Sequence, residues 1–225
     1  MSHLASPAAP SMNLRLSLVP DLSPDVLEVI TRLVRGHGVL AMPTESYYAL
    51  GASPFDARAV QRVCDIKGRS QDNPILVLIG DRRQLTGLVA DVPPAAEALM
   101  QHFWPGPLTL VLPAVSHLPR VLTAGTGTVG VRLSSHPILI RLLQHVGPLT
   151  GTSANRTGRP AVCSAAQVEA DLGRDVDAIL DGEDTPGGAP STVVDATGPI
   201  RLLREGLIGR QAIRDLLGAR GFPCA

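Results

Sequence analysis

The chain is short of several things, and each scarcity removes a class of function. Aromatic residues make up 3% of its 225 residues, too few to build the stacking platforms that hold single-stranded nucleic acid. Neither sign of charge is in surplus: 20 basic side chains stand against 20 acidic ones, so no global field collects polyanions and any anion site has to be local. The three cysteines, Cys64, Cys163 and Cys224, are far apart and form neither a CxxC pair nor a zinc-ligand set with the six histidines. That pattern suits a reducing compartment, and Cys64 reads as a buried apolar residue on a helix. No apolar run is long enough to cross a membrane, and the opening MSHLASPAAPS has no cationic start followed by an apolar stretch. Residues 1–12 therefore read as a flexible leader on a cytoplasmic protein with no membrane partner. Two phosphate-binding turns are missing as well. There is no GxxxxGKS or GxxxxGKT, and no GxGxxG between a strand and a helix; the nearest piece is Gly125-Thr126-Gly127.

Lysine is the scarcest charged residue: Lys67 stands alone among 20 Lys and Arg side chains. A coding bias towards arginine would leave such a remnant. A position that needs a compact, mobile ammonium as a point charge on a phosphate oxygen would do the same. Arg69 follows with only Gly68 between, so two cations of different geometry sit together. Lys67 also falls in the last turn of an expected helix, where a cation suits the negative end of the helix dipole, so a purely structural role is open.

What is present reads as one α/β domain, residues 13–225. Hydrophobic residues at 44% and charged residues at 18% are globular proportions, and the length suffices for a substantial core. Alternation predicts strands at 13–19 and 128–133; apolar runs predict strands at 39–42, 74–79, 108–112, 148–150, 176–180, 192–194 and 200–203. Ser23-Pro24 opens a helix that Gly36 and Gly38 end, and Asp56 caps the helix leading to Lys67. Further helices are expected from Asp81, from Pro94 to Trp104, over 138–146, from the capping box of Ser164 and Gln167 to Leu172, and over 210–217. Strands and helices intermix without a strict βαβ period, which points to helices flanking a mixed twisted sheet.

Polar residues cluster at the strand ends and the turns beyond them, where α/β sites form. Thr44 after Pro43 is either a turn residue or a ligand. On the strand 128–133, Val129 and Val131 share one face, Thr128, Gly130 and Arg132 the other. A cation there needs an anion or a solvated face. Ser153 and Asn155 suit an ordinary Asx or hydroxyl turn as well as a site. Ser191 and Arg204 complete the set. Trp104 reads as core, and His37, His102 and His136 as surface or helix-end residues.

Seven segments occur in one order: PTE at 43–45, KGR at 67–69, NP at 73–74, WPGPLT at 104–109, VGVR at 129–132, SAN at 153–155 and STVVD at 191–195. In this the chain resembles the YrdC/Sua5 family of threonylcarbamoyl-AMP synthases. The resemblance implies a single YrdC-like α/β domain and an L-threonylcarbamoyladenylate synthase that condenses L-threonine, bicarbonate and ATP with release of pyrophosphate. It implies Lys67 and Arg69 as catalytic residues on the ATP phosphates. Asn73, Thr128, Ser153, Asn155 and Arg204 would bind the rest of the nucleotide, and Thr44, Arg132, Gly151 and Ser191 would hold L-threonine. Mg2+ would accompany ATP, with no metal site in the protein. The product would pass to a separate transferase that modifies adenosine 37 of tRNA; direct tRNA binding by this chain is not required, and any is expected to be weak. The extra C-terminal domain of longer Sua5 proteins looks absent. Two positions depart from the pattern: Ala49 stands where the family has glycine, and Ser70 where it often has proline. A YrdC-like paralogue that binds RNA or uses another acceptor is the alternative. A third class, the carbamoyl-transfer domain of hydrogenase maturation proteins, comes within a larger chain with zinc-finger-like segments that this sequence lacks.

Overall fold

The structure is a computed structural model that describes residues 14–18, 21–70 and 72–222. The leader 1–12, Asn13, Val19 and Cys224 lie outside them. In chain order the elements are β1 (Leu14–Ser17), α1 (Pro24–Arg35), β2 (Leu40–Met42), β3 (Ala49–Gly51), α2 (Ala57–Lys67), β4 (Val77–Ile79), a 3-10 helix (Arg82–Gly87), α3 (Pro94–Phe103) and β5 (Leu108–Pro113). There follow α4 (Arg120–Thr123), β6 (Thr128–Leu133), α5 (Pro137–Val146), β7 (Leu149–Thr150), β8 (Thr152–Ser153), α6 (Ala165–Leu172), β9 (Ala178–Asp181), β10 (Thr192–Asp195), β11 (Arg201–Arg204) and α7 (Arg210–Ala219).

The helix ends follow their punctuation. The Ser23 hydroxyl accepts a hydrogen bond from the Val26 amide at the start of α1, and Ser164 with Gln167 forms the reciprocal box at the start of α6. On α2 the Asp56 carboxylate accepts from the amides of Arg58 and Ala59, and Gly68 closes the other end at φ 60, in the left-handed region. The run 74–79 enters a ladder only from Val77, and Asp81 opens a 3-10 rather than an α-helix.

The strands divide between two mixed sheets instead of forming one. The first has the order β1-β9-β2-β3-β8 and the second β11-β10-β5-β6-β4-β7. In the first, β9 runs parallel between β1 and β2, which do not pair with each other. In the second, β10 runs parallel to β5 and antiparallel to β11, while β6 pairs antiparallel with β5 and parallel with β4. Helices α1 and α5 pack against one apolar cluster around Leu40, Leu78 and Leu180. The larger cluster runs from Tyr48 and Val60 through Trp104 and Leu110 to Ile213. Among the described residues no helix is long and apolar enough to cross a membrane.

Candidate active site

A cleft of about 560 Å³ takes its lining from both sheets. The 44–49 segment and β8 come from the side of the first sheet; β5, β6, β10 and β11 come from the second. The alternation of β6 sets one wall. Val129 and Val131 enter the core at 1% and 0% exposure, which turns Thr128, Gly130 and Arg132 into the cleft.

Eight of the eleven residues marked out from the sequence line this cleft: Thr44, Arg69, Thr128, Arg132, Gly151, Ser153, Ser191 and Arg204. Thr44 has the hydrogen bonds of a turn residue and also lines the cleft. Its hydroxyl donates to the Tyr47 carbonyl at 2.7 Å and accepts from the Ser46 and Tyr47 amides, so it organises the turn that it also exposes to the cleft. Gly151 is a packing requirement: a Cβ there would lie 2.5 Å from Leu78 Cγ and 2.9 Å from Leu76 Cδ1. Ser191 is buried, its hydroxyl 2.9 Å from that of Thr109, and the Arg204 guanidinium donates to the Ser191 carbonyl at 2.9 and 3.2 Å.

Arg132 is the most unusual of the set. It is only 5% exposed; one terminal nitrogen is 3.2 Å from Glu45 Oε1, and its Nε has no hydrogen-bond partner. Burial pushes its pKa down, the Glu45 carboxylate opposes that, and the neighbouring charge of Arg204 adds to it. Two guanidiniums near one another, one of them buried, make an electropositive pocket suited to a carboxylate or phosphate. Arg69 adds a third, held half-buried by the Asn73 and Pro74 carbonyls at 3.2 and 2.8 Å.

Lys67, Asn73 and Asn155 are not among the lining residues. Lys67 is 4% exposed and sits behind the Ser153–Asn155 turn. Its ammonium donates to the Asn155 carbonyl at 2.7 Å, to Asn155 Oδ1 at 3.3 Å and to the Ser153 carbonyl. Burial lowers its pKa to about 8, and the charge of Arg69 acts in the same direction. Lys67 thus joins the end of α2 to a turn whose first residue, Ser153, faces the cleft. Asn73 is exposed and contributes its carbonyl to Arg69.

Several lining residues carried no assignment from the sequence: Thr109, Thr126, Tyr47 and Asp195. Thr109 ends WPGPLT and Asp195 ends STVVD, so the motifs that contain them were the available signal. Asp195 is engaged by Thr197 and by Arg201 at 2.6 Å. Glu45 lies in PTE, and in the fold its carboxylate pairs with Arg132 and accepts from the Ser134 hydroxyl. Trp104 is core, its indole donating to the Leu108 carbonyl at 2.7 Å, and His136 caps α5 by accepting from the Leu139 amide. Among the described residues no group of three or more His, Cys, Asp or Glu side chains is placed to hold a metal.

Known proteins resemble this chain in sequence and in fold. A family model for Sua5, YciO and YrdC proteins, described as "Telomere recombination", matches residues 32–206. Over 194 residues the chain is 40% identical to a threonylcarbamoyl-AMP synthase of Pyrococcus abyssi, the match covering 85% of this chain and 57% of that protein. Over 186 residues it is 34% identical to a threonylcarbamoyl-AMP synthase of Stutzerimonas stutzeri, covering 83% of this chain and 97% of that one. The crystal structure of P. abyssi Sua5 complexed with L-threonine superposes with a TM-score of 0.84 at 37% identity, over 91% of this chain and 60% of that chain. The chain therefore spans little more than half the length of its archaeal relative.

Proposed function

The chain belongs to the Sua5/YciO/YrdC family, and from that premise we propose that it is an L-threonylcarbamoyladenylate synthase, joining L-threonine, bicarbonate and ATP and releasing pyrophosphate. The observation that carries this reading is the buried Arg132 in a cleft shared with Arg204 and Arg69. Arg132 lines the cleft, and the protein leaves its guanidinium incompletely hydrogen-bonded. An amino acid carboxylate suits such a cleft-lining cation, and the P. abyssi relative was crystallised with L-threonine.

In this reading Arg132 takes the L-threonine carboxylate as a forked donor, with Thr44, Ser191 and the backbone at Gly151 around the rest of the molecule. The neutral threonine amine attacks the carbon of bicarbonate with loss of water, or of CO2 already formed from it by that loss with release of a proton, and a carbamate results. A carbamate oxygen then attacks the α-phosphorus of ATP; that P–O bond forms as the bond to the bridging oxygen breaks, and pyrophosphate leaves. No covalent enzyme intermediate is needed. The protein holds two mutually repelling anions in line and offsets the charge on the triphosphate with Arg69 and Arg204, while Thr128 and Ser153 donate hydrogen bonds to the nucleotide. Lys67 acts on the same nucleotide from behind the Ser153–Asn155 turn: it adds positive charge and fixes the turn. Mg2+ would enter with the nucleotide, held on its phosphate oxygens. The product is a mixed anhydride, and a separate transferase carries its threonylcarbamoyl group to tRNA.

The test is pyrophosphate release from ATP and Mg2+ with L-threonine and bicarbonate each omitted in turn. Release that needs both supports the synthase. Release indifferent to L-threonine points to another acceptor, for which Ala49, whose side chain lines the cleft in place of the family's glycine, is the first residue to revert.

A further inference from the structure

We propose that Glu45 is a positioning residue for Arg132: its carboxylate balances the buried guanidinium without consuming the donors that a ligand carboxylate needs. This rests on the reading of Arg132 as the L-threonine carboxylate site.

Three observations meet here. First, Glu45 is not part of the cleft lining, whereas Arg132 is. Both side chains are largely out of water, at 13% and 6% exposure. Second, the contact between them is ionic but not a hydrogen bond: the charged atoms approach to 3.2 Å, yet Glu45 Oε1 and Arg132 Nε both lack a hydrogen-bond partner. A pair built only to stabilise the fold would be expected to satisfy these atoms, because a buried polar atom without a partner is destabilising. Third, the other oxygen of Glu45 is firmly held. Oε2 accepts from the Ser134 hydroxyl at 2.7 Å; Ser134 is fully buried, its hydroxyl accepts from the His136 amide at 3.1 Å, and its own amide donates to the Ile79 carbonyl. The carboxylate is thus fixed to the end of β6 and the start of α5, and the guanidinium is held by charge against a rigid backing. Without Glu45, Arg132 would face the repulsion of Arg204 with no counter-charge, and its orientation would be lost.

A Glu45 that instead competed with an incoming carboxylate for Arg132 would have the opposite effect, and one experiment separates the two. L-threonine and L-threoninol, the amino alcohol in which the carboxylate is reduced, are titrated by calorimetry into wild type and Glu45→Gln, a near-isosteric change that removes the charge and turns one acceptor oxygen into a donor. ATP is titrated separately as a check on the intact fold. The expected result is a roughly tenfold loss of L-threonine affinity, the size of one charge-assisted hydrogen bond, with L-threoninol and ATP affinities unchanged. A smaller loss in the same direction is expected for Ser134→Ala, which frees Oε2 and serves if Glu45→Gln does not fold. Equal losses for both amino ligands would show a merely structural residue and overturn the inference. Unchanged or tighter L-threonine binding would overturn it too, the latter making Glu45 a competitor. A wild type that binds L-threoninol as tightly as L-threonine would instead remove the carboxylate from Arg132, and the reading beneath the inference would fall with it.

Discussion

Lys67 ties three oxygens of one turn to the end of α2, and its ammonium is held at a pKa of about 8, well below the ordinary 10.5, chiefly by burial. The native state therefore gives up this proton earlier than the unfolded chain. Between about pH 8 and 10.5 the unfolded chain binds more protons, so the contribution of Lys67 to stability rises with pH across that window, and its penalty is fully present below it. Urea unfolding at about pH 7 and about pH 9.5 should show this rise in wild type and not in Lys67→Met. Activity should move the other way, falling above pH 8 as the charge is lost, and Lys67→Met should lose on the order of a hundredfold or more in kcat. The sequence marked Lys67 by its isolation among arginines. It could not show the acceptors, which lie 86 and 88 residues further on. For Arg132 the strand period was enough to set its direction, but the partner Glu45, 87 positions earlier in the chain and joined only by folding, was out of reach. Replacing Arg132 by Met leaves Glu45 without its counter-ion in a largely dry place, and should destabilise by about 3 kcal/mol in equilibrium unfolding.

Helices α1, α2 and α6 were legible because their starts are written in side chains: Ser23, Asp56 and Ser164 each cap as their chemistry requires; the four-residue α4, with no side-chain cap, was not. Short strands that fall in apolar runs, β2, β4 and β7, were legible too, but two others were not. Ala49–Gly51 is three buried residues with no alternation to reveal it, and Thr152–Ser153 lies within what reads as a polar turn; β3 exists by pairing with β2 and β8, and β8 by pairing with β3, which are tertiary contacts. These strands carry one wall of the cleft, so the unread part of the fold coincides with part of the site. Where an element ends on a special conformation the consequence is simple. Gly68 caps α2 at φ 60 with no atom within 4 Å of a would-be Cβ, so Gly68→Ala meets backbone strain alone and should lower stability by about 1 kcal/mol. Gly151→Ala should be worse, roughly 1–3 kcal/mol, because its Cβ has to displace Leu78 from a packed interior. Thermal unfolding of the two variants side by side separates strain from overpacking.

At the scale of the molecule, residues from both sheets face one cleft, and ligands that fill it should stabilise the sheets together. Saturation with L-threonine and a non-hydrolysable ATP analogue at a hundred times the dissociation constant should add about 2.7 kcal/mol per ligand. That raises Tm by roughly 5–10 °C for each in a scanning calorimeter. Hydrogen exchange should slow in β8 and β11, which lie in different sheets, and remain unchanged in the distant β1. The α/β class and flanking helices could be read from the order of apolar runs, but the strand order could not. Nothing in residues 178–181 says that they belong between residues 14–17 and 40–42. That insertion has a consequence for how the molecule is made. A chain emerging from the ribosome presents β1, α1 and β2 early, with a strand-wide gap where β9 belongs, and Arg204, which helps close the cleft, emerges still later. Until residues 178–204 have been made, the nascent protein keeps two open strand edges and an incomplete cleft, so no ligand that needs the whole cleft can assist folding before then.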